Sequence, residues 1–359
     1  MKAQLVEELW KPVTVGQLTL PHRLAMAPMT RNRSTPDGVP TELNALYYAQ
    51  RASFGLIVTE GTQPSEDGQG YLLTPGIFNE AQIAGWRLVT EQVHRAGGRI
   101  FIQLMHVGRI AHPANTPHGR QAVAPSAVQP AGMMFTAKGP LEIPAPRELG
   151  LAEIGTTIDD FRGAAAAAVA AGADGVEIHG ASGYLVHQFL SENANRRSDR
   201  YGGTLEGRVR FAVEVAAAIA GEIGADRTAL RISPGNPFND IVEGDTAALY
   251  RTLVPELAAL RLAYLHLVHS HDEELLRWIR AAWPTTLIVN RTGRPREEIA
   301  RDVTDGLADI ASVGAMALAN PDLVARLRGG LELNVPDRPS FYGGDARGYV
   351  DYPALAEVS

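Results

Sequence analysis

The sequence predicts one α/β domain over residues 1–359, folded as a closed (β/α)8 barrel. An N-terminal β-hairpin precedes the first strand, and a long excursion follows the third. Three observations carry this. Eight short β-rich runs alternate with helix-like runs. No linker or internal repeat divides the chain. No GxGxxG follows any strand, which sets a doubly wound nucleotide-binding sheet second.

Taken in order, the segment from Pro12 to Leu20 alternates apolar and polar residues about Gly16. It reads as a hairpin able to plug the lower end of the barrel. The strand runs are 23–28, 55–60, 99–104, 175–180, 229–234, 264–269, 286–291 and 309–313. Between them lie helix-like runs at 42–53, 80–96, 153–171, 205–220, 245–260, 272–282 and 295–304. Asn320-Pro321-Asp322 starts a last helix after strand eight. Residues 106–150, rich in Pro, Gly and His, form the longest irregular stretch. Leaving strand three, they would lie on the catalytic face. The Ala-rich run at 164–171 is a helix packing surface, and Tyr201-Gly202-Gly203 shapes the entry to the following helix.

Composition narrows the function. The formal charge of −7 is spread without acidic or basic blocks, which argues against nucleic acid or an anionic membrane as partner. There is no cysteine, so thiolate catalysis, disulfides and Cys-ligated centres are excluded, in keeping with a reducing cytoplasm. No apolar run reaches the length of a signal core or a bilayer span. His266, His269 and His271, followed by Asp272, invite a metal reading. A metal site needs a further convergent ligand, and none is expected here.

Strand parity points to the chemistry. Gln103 shares a face with Phe101, His179 with Glu177, and Arg231 with Ser233. The opposite faces are aliphatic: Ile102 and Leu104, Val176 and Ile178, Leu230 and Ile232. The aliphatic faces suit packing under helices. The polar faces would point inward and converge at the carboxyl ends of the strands, where an amide, an imidazole and a guanidinium can bind a planar polar heterocycle. His179 and Tyr184 sit on a glycine-shaped loop after strand four. One imidazole and one phenol there can polarise a carbonyl and deliver a proton.

At these residues the chain resembles the old yellow enzyme family of FMN-dependent ene-reductases, over nearly its whole length. The matching motifs are Ala27-Pro28-Met29-Thr30-Arg31, Tyr47 to Ala52, Gly55 to Gln63, Gln103 to Arg109, His179 to Leu190, Tyr201-Gly202-Gly203, Ala319 to Leu323 and the tail from Phe341 to Tyr349. The resemblance implies a (β/α)8 barrel holding non-covalent FMN. Thr30, flanked by Pro28 and Met29, would bond the flavin near N5 and O4, and the Gly61 backbone would meet the same edge. Gln103 would pair with the pyrimidine ring. Arg231 would set positive charge beside N1 and O2, and Gly314 would lie beside the cofactor after strand eight. NADPH or NADH would reduce the flavin. Hydride would then pass to the β-carbon of an electron-poor alkene, an α,β-unsaturated carbonyl or a nitroalkene. His179 would hold the carbonyl, and Tyr184 would protonate the α-carbon. Tyr71, Met105 and Tyr349 match positions lining the substrate cavity. The protein would be a monomer or a homodimer.

Three departures stand out. Ser182 occupies the place of a second carbonyl-binding His or Asn. Met105 stands where many members carry tryptophan, which alters the preferred substrate shape. The pair Gly314-Ala315 lacks the family's phosphate-binding arginine, while the loop after strand seven reads Asn290-Arg291-Thr292-Gly293-Arg294-Pro295. Arg291, with Arg294 second, is the expected replacement. Two other readings remain at this stage: a non-redox isomerase or cyclase acting on an enone, and a non-catalytic ligand-binding barrel with weakened FMN binding.

Overall fold

A computed structural model describes residues 7–269 and 272–355. Eight parallel strands close into a barrel: β1 (Leu24–Met26), β2 (Leu56–Val58), β3 (Ile100–Leu104), β4 (Gly175–Gly180), β5 (Thr228–Ile232), β6 (Tyr264–Val268), β7 (Thr286–Asn290) and β8 (Ile310–Val313). Closure is made by β8 pairing with β1, with Ser312 opposite Ala25. An open sheet would leave both of those edges bare. Each expected strand is present, within a few residues of its expected ends.

Alternation along the strands builds two cores. Ile102, Leu104, Val176, Ile178, Leu230 and Ile232 face outward and pack with helix residues such as Val89, Phe161, Phe211 and Leu253. The helix Leu151–Ala170 brings Ala164, Ala165 and Ala168 to this layer, where small side chains allow close approach. Inside the barrel, Ala25, Leu56, Val58, Phe101, Ala229, Tyr264, Ile288 and Ile310 fill the lower half. The hairpin, Val13–Val15 against Leu18–Leu20, closes that end with fully buried Val15 and Leu20.

Residues 106–150 are more ordered than their composition implies. Val123–Ala124 pairs in parallel with Arg147–Glu148, and Met133–Thr136 forms a hairpin with Gly139–Glu142. Met134 and Ile143 pack with Met105 and Tyr184. His106, at the start of this stretch, is buried, and its Nδ1 accepts the Gly108 N–H at 3.0 Å.

The tail is tied to the start of the chain by two arginines. Arg31 donates to the carbonyls of Phe341 (2.9 Å) and Gly348 (2.7 Å), and Arg33 to those of Asp345 (2.9 Å), Ser340 (3.0 Å) and Arg347 (3.0 Å). Tyr349 stacks on Tyr47, with ring centroids 4.2 Å apart, and both Arg31 and Arg33 lie over its ring. Tyr349, expected in the substrate cavity, is therefore enclosed in a cation–π column, with no side-chain surface left for a ligand.

Truncating the plug tests the lower core. Leu20→Ala should cost about 2–4 kcal/mol in urea unfolding, the range for a well-packed buried leucine. Flavin affinity at the opposite end of the barrel should stay unchanged.

Candidate active site

The upper half of the barrel interior is polar, and its residues hold one another. Gln103 and Glu177 are register partners on neighbouring strands, and the Gln103 Nε2 donates to Glu177 Oε1 at 2.7 Å. His266 Nδ1 meets the other Glu177 oxygen at 2.8 Å, and its Nε2 meets Ser312 Oγ at 2.8 Å. Burial pushes the Glu177 carboxyl upward. The charges of His266 and Arg231 and the hydrogen bonds of His266 and Gln103 outweigh it, and the pKa stays below its ordinary value. For His266 the desolvation prevails over Glu177 and the pKa is lowered. The pair is then a carboxylate accepting from a neutral imidazole.

Arg231 stands one layer higher, between His179 and His266 in register. It is 8% exposed, and its Nε is buried without a hydrogen-bond partner. Among the described residues no group accepts a hydrogen bond from this guanidinium, so the cation is balanced by Glu177 at longer range. Its free donors open on a cavity of about 450 Å³ at the carboxyl ends of the strands. Pro28, Met29, Thr30, Gly61, Gln103, Met105, His179, Ser182, Tyr184 and Gly314 share that lining. Gly61 lies against Met105: a Cβ there would stand 2.5 Å from the thioether sulfur, which would have to move.

The turn after β4 aims Tyr184. Ser182 has φ 55° and Gly183 φ 78°. The serine pays roughly 1–2 kcal/mol for that left-handed backbone. It is held by its N–H on Ser233 Oγ (2.9 Å) and its carbonyl under Asn239 Nδ2 (2.8 Å). A Cβ on Gly183 would lie 2.6 Å from that of Asn239. The turn brings Tyr184 edge-on to His179, with ring centroids 5.0 Å apart, and sets its hydroxyl 3.1 Å from that of Tyr71. Tyr71 thus reaches the cavity through Tyr184. Burial raises the Tyr184 phenol above its ordinary value, against hydrogen bonds from Tyr71 and Asn239. Burial, reinforced by Arg231 and two further histidines, drives His179 well below its ordinary value. The site therefore presents a neutral imidazole and a protonated phenol at neutral pH.

Arg291 lies outside that lining, beside the adjoining cavity between the ends of β7 and β8, and is held in ion pairs with Glu273 and Asp302. Sequence reasoning missed Asn236, Phe238, Asn239 and Tyr342, which border the cavity or its phenols. The run Pro234-Gly235-Asn236-Pro237, leaving a barrel strand at its carboxyl end, was a usable turn signal for the first three. Of the residues considered for metal, His266 is bound to Glu177 and Ser312, His269 contacts Arg291 and Glu273, and His271 lies outside the described residues. Among the described residues no cluster of three or more His, Cys, Asp or Glu could hold a metal ion, and no helix is long and apolar enough to cross a membrane.

The chain matches the model of the NADH:flavin oxidoreductase / NADH oxidase family over residues 8–334. It is 40% identical over 359 residues to a probable flavin mononucleotide-dependent alkene reductase of Leishmania infantum, covering 98% of both chains. It is 41% identical to 12-oxophytodienoate reductase 1 of Oryza sativa subsp. japonica, covering 98% of this chain and 94% of that one. Among solved structures, morphinone reductase superposes with a TM-score of 0.93 at 40% identity, covering 97% and 96% of the two chains. The old yellow enzyme homologue of Zymomonas mobilis superposes at 0.94 with 37% identity, covering 97% and 100%.

Burial of His106 has a measurable consequence. Desolvation lowers its pKa to about 4. In the unfolded chain it protonates near 6.5, so the unfolded state binds the extra proton first and stability falls with pH below about 6.5. His106→Gln should flatten that fall by up to about 3 kcal/mol between about pH 6.5 and pH 4, read from urea midpoints across the range.

Proposed function

The chain belongs to the old yellow enzyme family of FMN-dependent NAD(P)H oxidoreductases, and on that premise we propose that it reduces α,β-unsaturated carbonyl compounds at the cavity above Arg231. One observation carries the reading: a buried guanidinium with unspent donors, set beside a neutral imidazole and a protonated phenol. A buried cation without a hydrogen-bonded partner is costly unless a ligand supplies acceptors. The carbonyl-rich edge of an isoalloxazine does so. Gln103 fits the same ring, because Glu177 takes one amide hydrogen and fixes which end of the amide faces the cavity. Thr30, Pro28, Met29, Gly61 and Gly314 complete the wall.

When bound, the flavin would supply hydride-transfer chemistry between NAD(P)H and the alkene. This chain's residues do the rest. Arg231 is a fixed cation that favours the electron-rich state of whatever lies against it. His179 donates a hydrogen bond to the substrate carbonyl, drawing charge from the alkene. Its low pKa keeps it a neutral, single donor. Ser182 is the second polar group at that position. Its backbone is already spent on Ser233 and Asn239, so only its hydroxyl is available to the substrate. Tyr184 holds the proton that the α-carbon receives, and Tyr71 stands ready to return a proton to it through their shared hydrogen bond. Met105, buried and flexible, together with Phe341 and Tyr342, bounds the room left for the substrate.

The purified protein with FMN should be yellow, bleach with NADPH or NADH, and recover its colour on adding an enone. Protein that stays colourless and takes up no FMN rules the proposal out. Tyr184→Phe should bleach normally but recover about 10²–10⁴-fold more slowly, the usual contribution of a positioned acid. The recovery rate of the native protein should be flat from about pH 6 to pH 9. His179 is already neutral there, and Tyr184, its pKa raised, loses its proton only above the ordinary phenol value of about 10.

A further inference from the structure

Beyond Arg231 the cavity continues into a second lobe of about 290 Å³ between the ends of β7 and β8. Pro28, Arg231, Asn290, Thr292, Gly314 and Ala315 line both lobes, so the two are continuous. The corner after strands seven and eight is where (β/α)8 barrels commonly receive a phosphate. A phosphomonoester there needs donors that nothing else has claimed. Ala315 offers no side-chain donor.

Arg291 is fully committed. Its Nε and Nη2 donate to Asp302 at 2.7 and 2.9 Å, its Nη2 also reaches Glu273 Oε2 at 3.1 Å, and its Nη1 donates to Glu273 Oε1. Every nitrogen of the guanidinium faces a carboxylate. Arg294, three residues on, is not committed. Only its Nη1 is engaged, with Asp302 Oδ2 at 2.9 Å and the Glu298 carbonyl at 3.3 Å. Its Nε and Nη2 have no partner among the described residues, and the side chain lines the second lobe.

We propose that Arg294 is the phosphate ligand of this chain, with Arg291 as its brace. The inference rests on the FMN reading above. Arg291 neutralises Asp302 and fixes its carboxylate. Asp302 in turn anchors one nitrogen of Arg294 at the edge of the lobe and leaves the other two without a partner among the described residues. An arginine already held by one corner loses little rotamer freedom when it binds an anion. The phosphate cation is thus supplied by the loop after β7, while the loop after β8 offers only Ala315. It comes with an acid that only a pair of arginines could make tolerable beside a phosphate.

The test compares FMN with riboflavin, which lacks the phosphate, by quenching of flavin fluorescence on the full-length protein stripped of flavin. The native protein should bind FMN far more tightly than riboflavin. Arg294→Gln should weaken FMN by about 10–100-fold, the range for a charge-assisted hydrogen bond or two, and change riboflavin by less than about twofold. Arg294→Lys should recover part of the loss. An Arg294→Gln protein that keeps the native preference for FMN, or that loses both flavins equally, overturns the assignment. Native protein that binds neither flavin would instead remove the FMN reading on which it rests.

Discussion

Glu177 is a carboxylate shut away from water in the middle of a barrel, and a charge placed there has to be met by donors. Hydrogen-bond donors come from two other strands, Gln103 from β3 and His266 from β6, and Arg231 on β5 adds its charge at longer range. Ser312 on β8 completes the set by holding the far side of His266. This arrangement divides the barrel interior. Below it the filling is apolar and sealed by the hairpin, and above it Gln103, His179 and Arg231 line the cavity. It also explains Arg231. The carboxylate makes a buried cation tolerable without bonding it directly, so the guanidinium keeps its hydrogens for whatever enters the cavity.

The same economy recurs at the corner between the ends of β7 and β8. Arg291, Arg294, Glu273 and Asp302 are charges in balance, yet the hydrogen bonds are shared unequally, and the inequality leaves one arginine with work still to do. A count of charges would not separate the two residues. Their hydrogen-bond partners do.

The tail belongs to the site's support. Arg31 and Arg33 follow directly on the cavity residues Pro28, Met29 and Thr30, and they bind the carbonyls of residues 340–348. Phe341 and Tyr342, on that segment, form part of the cavity wall. Residues some three hundred positions apart are thereby set against one another, with Tyr47 and Tyr349 stacked between the arginines. The Tyr349 position shows how a motif can be located correctly in the fold and still say little about contact. The ring is near the site but faces the arginines.

Much of the architecture was legible because its signals are local. Alternation with period two marked which strand face would meet helices and which would meet the barrel interior, and turn residues marked where each strand would stop. Eight such units, the plugging hairpin and the placement of Gln103, His179 and Arg231 on one interior all follow from that. The excursion after β3 was less legible, since one of its two strand pairs, Val123–Ala124 with Arg147–Glu148, is joined across more than twenty residues of Pro- and Gly-rich chain. The sequence by itself determined which groups carry charge and which end of the barrel they occupy. Only the tertiary structure decided which of those groups were already spent, because hydrogen-bond partners are chosen in space: Asp302 reaches back to Arg291, Glu177 across to His266, and nothing in the described protein reaches the guanidinium of Arg231.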